Sequence, residues 1–156
     1  MRAVGYRTPG PIDAPDALVD IERPRPVAAG RDLLVEVRAV SVNPVDTKVR
    51  RTAAPEPGEW KVLGWDAAGV VVEAGPDAGR FRPGDEVFYA GALARPGTNA
   101  EFHLVDERIV GRKPRSLDWA EAAAMPLTAI TAWEALFDRL DVHGREVPGA
   151  APVIVI

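Results

Sequence analysis

The sequence of 156 residues predicts a mainly β body with added α structure. The body is a barrel or sandwich of short strands, followed by a helical stretch and one buried parallel strand. Three observations carry this expectation. Gly (14) and Pro (15) are spread along the chain and punctuate short apolar segments, whereas low-complexity disorder would bunch them. Those segments are rich in Val, whose β-branched side chain suits a pleated, half-buried surface. Beyond residue 115 the spacing of apolar residues turns helical, and the chain closes on an apolar β-branched run.

Taken in order, residues 2–6 and 17–22 read as an opening pair of strands. Residues 32–41 alternate: Leu33, Val35, Val37 and Ala39 on one side, Glu36 and Arg38 on the other, as one buried face requires. Residues 67–74 carry Val70, Val71 and Val72 in a row and read as a strand covered on both faces. Short strands follow at 86–90, 100–106 and 109–112. Pro9-Gly10, Pro57-Gly58, Pro83-Gly84-Asp85 and Pro96-Gly97 supply turns between them. Asp118 with Glu121 forms a helix-starting capping pattern ahead of the Ala-rich 120–124 segment. Ile130, Trp133, Leu136, Phe137 and Leu140 then recur at helical spacing, which predicts an amphipathic helix over 127–141, stopped near Gly144. The final Val153-Ile154-Val155-Ile156 reads as a buried parallel strand, the first of a second, α/β domain.

Composition excludes several function classes. The absence of Cys rules out disulfides, a thiolate nucleophile, a thiolate zinc site and an iron–sulfur cluster. The formal net charge is −4, with basic residues scattered among carboxylates, so nucleic acid is not the expected partner. Two small basic groups, Lys48/Arg50/Arg51 and Arg112/Lys113/Arg115, read as solvated faces. Apolar runs are far too short to span a bilayer, for which about 20 residues are needed, and the opening residues hold no apolar signal core. A soluble, cytoplasmic protein with no membrane partner is expected.

Few residues offer chemistry. Asn43-Pro44-Val45-Asp46-Thr47-Lys48 follows a strand and carries a cap residue with Pro at the first helical position. A helix over 44–51 would show Asn43, Thr47 and Lys48 at the strand end, a common place for binding groups, though spacing alone favours a plain capped turn. In Gly64-Trp65-Asp66-Ala67-Ala68-Gly69 the two glycines permit an unusual φ or a close backbone approach. Asp66 is there either a partly buried carboxylate or a solvent-facing one beside a core Trp65. Asp85 and Glu86 are adjacent on a strand and face opposite ways, a poor acid/base pair. His103 and His143 read as surface or edge histidines without a second metal ligand. Ser41 and Ser116 are the only serines, which leaves almost no candidate for a Ser–His–Asp system. No two glycines are separated by one residue, so the dinucleotide fingerprint is absent, as is the phosphate loop.

In this order and spacing, five segments resemble the medium-chain dehydrogenase/reductase superfamily. They are Val40-Ser41-Val42-Asn43-Pro44-Val45-Asp46, Gly64-Trp65-Asp66-Ala67-Ala68-Gly69-Val70-Val71, Phe81-Arg82-Pro83-Gly84-Asp85-Glu86-Val87, Asn99-Ala100-Glu101-Phe102 and Met125-Pro126-Leu127-Thr128-Ala129-Ile130-Thr131-Ala132. The nearest branch looks like the zinc-independent NADPH:quinone oxidoreductases. The resemblance implies a GroES-like β-barrel domain over 1–125, and a linking helix and first strand of an incomplete Rossmann cofactor domain over 126–156. It further implies the N-terminal part of a zinc-free oxidoreductase that reduces quinones or conjugated carbonyls with NADPH (or NADH). The full-length form is expected to be a homodimer. The 156-residue chain alone is expected to be inactive, the alternative being a non-catalytic GroES-like binding module. Where zinc-dependent relatives place a Cys ligand this chain has Asn43, and where they place His and Glu it has Trp65 and Asp66, so no metal site is expected. Carried over by the resemblance, Asn43, Asp46, Lys48, Thr128 and Thr131 contact the cofactor. Trp65 and Asp66 face a small-molecule acceptor, a quinone or enone.

Overall fold

The computed structural model describes residues 1–142, and its elements follow one another as β1 (Arg2–Tyr6), β2 (Val19–Glu22), β3 (Asp32–Ser41), α1 (Pro44–Thr52), β4 (Lys61–Val62), β5 (Asp66–Ala74), β6 (Glu86–Ala90), β7 (Phe102–Asp106), β8 (Val110–Arg112), α2 (Trp119–Ala123) and α3 (Pro126–Trp133). A π-helical stretch, Glu134–Arg139, extends α3. The expected strand at 153–156, together with His143 and Gly144, lies outside the described residues.

Two antiparallel sheets form the body. One is ordered β2-β1-β4 and the other β7-β3-β5-β6-β8. Residues 99–101 stitch them together. Val4 N–H donates to Asn99 O, Glu101 N–H to Arg2 O, and Val37 N–H to Glu101 O. This seam ties the two sheets together through the segment just ahead of β7 and covers part of the β1 and β3 backbone there.

β5 lies between β3 and β6, and that central place accounts for its continuous apolar run. Leu33, Val35, Ala67, Val71, Phe81, Val87, Tyr89, Val105 and Val110 make the main core. The alternation expected along β3 holds for Leu33 and Val35 but fails at Leu34, which is also fully buried. Its pairing with β5 shifts register between Leu34 and Val35 and again between Val37 and Ala39, two bulges that rotate successive side chains. Gly69, on β5, is the residue that lets β3 come so near. A Cβ there would collide with the Glu36 carbonyl.

Several connections are fixed by charge. Glu107, in the 3-10 turn between β7 and β8, is buried and accepts from Gly79 N–H (2.8 Å), Arg80 N–H (2.7 Å) and Arg31 Nη1 (3.0 Å). The N-terminus of α2 carries the expected box: Glu121 N–H donates to Asp118 Oδ1 (2.8 Å) and Asp118 N–H to Glu121 Oε2 (2.9 Å).

His103 departs from the surface position expected of it. It is 5% exposed, stacked on Tyr89 at 5.5 Å, with Nδ1 3.1 Å from the Tyr89 hydroxyl and Nε2 3.0 Å from Pro96 O. A carbonyl can only accept, so Nε2 carries the proton and Tyr89 donates to Nδ1. Strand β7 alternates, and its inward positions are 103 and 105, not 102 and 104.

The helix expected over 127–141 is present in two parts, and its apolar side stays open: Ile130, Trp133 and Leu140 are exposed, and Phe137 packs its ring on Trp133 at 4.4 Å. Among the described residues no helix is long and apolar enough to cross a membrane.

Candidate functional site

The end of β3 delivers the chain to the start of α1. Asn43 has extended backbone, Pro44 takes the first helical position, and the Asp46 carboxylate accepts from Asn43 N–H at 2.8 Å. Thr47 Oγ1 donates to Pro44 O at 2.9 Å. With its backbone N–H held by Asp46, Asn43 directs its side-chain amide across to β5, where Nδ2 donates to Asp66 Oδ2 at 2.9 Å. The other oxygen of Asp66 accepts from Leu127 N–H, in the first turn of α3, at 3.0 Å.

Asp66 is fully buried. Burial pushes its carboxyl above the usual carboxylate range; the Asn43 and Leu127 donors oppose that shift, and Asp46 adds to it. One carboxylate therefore joins α1, β5 and α3, and the positive end of the α3 helix favours its charge. Of the two states left open for Asp66, the buried one is found. Gly64 supplies the unusual backbone at the mouth of β5, with φ of +96°.

Beside the α1 N-terminus is a cleft of about 290 Å³. Val42, Leu63, Ile12 and Leu18 give it apolar walls, and Asp46, Thr47, Asn99, Arg50 and Arg51 its polar and charged groups. The Asn99 side-chain amide makes no hydrogen bond to another described residue. A second hollow of about 330 Å³ lies between Pro24, Arg25, Pro96 and Phe102, but its polar neighbours His103 and Arg95 are already engaged, Arg95 with Asp32 at 2.7 and 2.8 Å.

The residues expected at the site divide into three groups. Asn43, Asp46 and Asp66 come together. Lys48 is exposed on α1, and Thr128 and Thr131 are exposed on α3, where their hydroxyls donate back to Ala124 O, Met125 O and Leu127 O of their own helix. Trp65 is only 4% exposed and packs with Tyr6, Leu63, Val45 and Val49 beneath α1, and its indole Nε1 has no partner among the described residues. In this structure the ring supports the helix rather than forming an open wall. The basic group Lys48/Arg50/Arg51 is not uniformly solvated either, because Arg50 is buried. Ile12 and Leu18 escaped sequence reasoning, and Val42 and Asn99, though inside the segments that carry the family resemblance, were given no role. Ile12 and Leu18 sit in a Pro-rich loop without periodicity, and nothing in the sequence links them to α1.

The donor set decides whether zinc could bind here. An indole offers zinc no lone pair, a neutral Asn43 amide stands where a thiolate would be needed, and each Asp66 oxygen already accepts an N–H. No group of three His, Cys, Asp or Glu that could hold a metal occurs among the described residues. These residues do not fit a tetrahedral zinc centre, which takes three or four N, S or O ligands.

Residues 29–115 match the alcohol dehydrogenase GroES-like domain. Over 160 residues the chain is 40% identical to a zinc-type alcohol dehydrogenase-like protein of Staphylococcus aureus (strain COL), covering 99% of this chain and 46% of that protein. It superposes on a Rhizobium etli CFN 42 protein of the zinc-dependent alcohol dehydrogenase type with a TM-score of 0.91 and 70% identity, covering 97% of this chain and 44% of that one. The Escherichia coli quinone oxidoreductase complexed with NADPH gives a TM-score of 0.76 at 27% identity, covering 87% of this chain and 40% of that one. The chain thus spans less than half the length of these relatives.

Proposed function

The chain belongs to the alcohol dehydrogenase GroES-like family of the medium-chain dehydrogenase/reductase superfamily, and on that premise we propose that it is the substrate-side part of a zinc-free, NAD(P)H-dependent oxidoreductase that passes hydride to a quinone or a conjugated carbonyl. The observation that carries this reading is the Asn43–Asp66–Leu127 junction beside an apolar cleft. The positions that would face zinc hold an indole, a neutral amide and one carboxylate already serving two N–H donors, while the cleft offers apolar walls with a few polar groups.

The nicotinamide cofactor supplies the hydride. This chain's residues bind and orient the acceptor and keep water away from it. Val42, Leu63, Ile12 and Leu18 suit the body of a flat apolar molecule. The Asn99 amide, without a side-chain hydrogen bond among the described residues, suits its oxygen, where negative charge develops as hydride arrives. Thr47, Lys48, Thr128 and Thr131 are exposed and are proposed to meet the cofactor, with Asn43 and Asp46 holding α1 in place for that contact.

The test is NADPH oxidation by the full-length product of the gene, with menadione as acceptor, before and after exhaustive chelation. Turnover that survives chelation and ignores added zinc supports the proposal. Turnover that needs zinc, or no oxidation of NADPH or NADH by menadione or by an enone, overturns it.

A further inference from the structure

Arg50 is 4% exposed, yet no carboxylate among the described residues pairs with it. A buried cation is tolerated only where acceptors surround it. Here the acceptors are backbone carbonyls of one loop, residues 7–18. Arg50 Nε donates to Ala17 O at 2.6 Å, and Nη1 to Thr8 O at 3.1 Å and Gly10 O at 3.2 Å. The tie is reciprocal, because Gly10 N–H donates to Arg50 O at 3.2 Å. From beneath, the guanidinium lies 4.6 Å from the Tyr6 ring centroid, and the Tyr6 hydroxyl donates to Val49 O and Ala53 O near the end of α1.

One side chain therefore holds both ends of the loop to the helix that carries Asp46 and Thr47. The loop has little else with which to hold itself. Pro9, Pro11 and Pro15 contribute no N–H, and its internal backbone bonds are Ala14 N–H to Pro11 O and Ala17 N–H to Ala14 O. What it presents is apolar: Ile12 is 68% exposed and Leu18 40%, and both line the 290 Å³ cleft. Exposed aliphatic groups on a loop that is fixed at both ends, across from Val42 and Thr47, make a wall of set position.

We propose that residues 7–18 form an acceptor-selectivity loop and that Arg50 is its positioning residue, setting a preference for acceptors with an apolar ring system large enough to reach Ile12 and Leu18. The inference rests on the cleft being the acceptor site of the proposed reductase. Loss of such apolar contacts changes discrimination by roughly tenfold or more.

The experiment compares kcat/KM for menadione and for 1,4-benzoquinone in the full-length enzyme and in its Ile12→Ala, Leu18→Ala, Arg50→Met and Arg50→Lys variants. The expected result is a fall of about tenfold in the menadione-to-benzoquinone ratio, carried by KM, in the two loop variants and in Arg50→Met, with partial recovery in Arg50→Lys. An unchanged ratio in the loop variants overturns the proposal, even where overall activity drops. Two readouts do not need turnover: quenching of tryptophan fluorescence by menadione, and thermolysin cleavage within residues 7–18. Absent turnover in the parent enzyme refutes the reductase reading alone, and the loop is then judged on these two. Weaker quenching in Ile12→Ala and Leu18→Ala, with faster cleavage in Arg50→Met than in Arg50→Lys, upholds it. Equal quenching or equal cleavage refutes it.

Discussion

Asp66 serves two buried donors at once, and Asp66→Ala removes both acceptors in one step. The Asn43 amide and the Leu127 N–H would be left without partners at 2.9 and 3.0 Å from the oxygens they now meet. An orphaned buried donor costs about 1–3 kcal/mol, so two cost roughly 2–6 kcal/mol. Against this stands relief from burying a carboxylate, whose raised pKa shows that its charge is disfavoured. The net expectation is a loss of about 2–4 kcal/mol, read by urea unfolding at pH 7. Two further measurements isolate the cause. Combining Asp66→Ala with Asn43→Ala should cost less than the sum of the single changes, since the amide is no longer stranded. Asp66→Asn keeps one acceptor and drops the charge, and it should fall well short of the alanine loss. The pH dependence has a definite sign: with a folded pKa above the unfolded one, the native protein holds the extra proton. Wild type should thus gain on Asp66→Asn as pH falls through the folded pKa towards the ordinary Asp value. A loss below about 0.5 kcal/mol for Asp66→Ala, the size of an ordinary surface substitution, would show that the junction does not hold the two helices.

His103 gives a second pH effect of opposite direction. Burial lowers its pKa from 6.5 to about 4, so the unfolded chain takes up its proton first and stability should decline between those two values, by up to about 3 kcal/mol. Urea midpoints of wild type and His103→Gln from pH 7 to pH 4 should converge; parallel curves would refute the buried, neutral imidazole. Glu107 is held below its ordinary pKa, chiefly by the Arg80 N–H, so its contribution is present above the usual Glu range and fades as pH drops through the folded value. Glu107→Ala is expected to abolish amide-exchange protection at Gly79 and Arg80, and retained protection there would contradict the hydrogen bonds assigned. Gly64→Ala combines a φ of +96° with a Cβ only 2.5 Å from Thr98 Oγ1, and thermal unfolding should register a loss of about 1–3 kcal/mol; a neutral change would refute the strain.

Much of the architecture was legible because strands and caps are local. The Val-rich 67–74 segment, the Asn43-Pro44 start and the Asp118/Glu121 box each announce themselves within a few residues, and the structure has all three. Gly64 and Gly69 were readable as backbone needs before either partner was known. Other features depend on contacts far apart in sequence. Leu34 is buried because β3 bulges against β5, His103 because its ring reaches Tyr89 and Pro96, and Arg50 because a loop more than thirty residues earlier offers carbonyls. Periodicity carries no such information. Cap pattern and residue type picked out Asn43 and Asp66, and the family resemblance added Asp46, while Ile12 and Leu18 enter only through the three-dimensional closure of the cleft. Trp65 shows the reverse limit: the residue reading allowed a core ring and the family resemblance an acceptor-facing one, and the structure packs it beneath α1.

The two irregularities in β3 also bear on how this barrel can vary in length. Between Leu33 and Ser41 the strand is paired along both edges, to β5 throughout and to β7 over its first half, and it hands the chain directly to Asn43. An inserted or deleted residue here would invert every side chain downstream and rotate the start of α1 away from Asp66. Residues 53–60 and 91–98 bear no comparable ladder. Length changes across homologous chains should therefore collect in those two segments and be missing from 33–43.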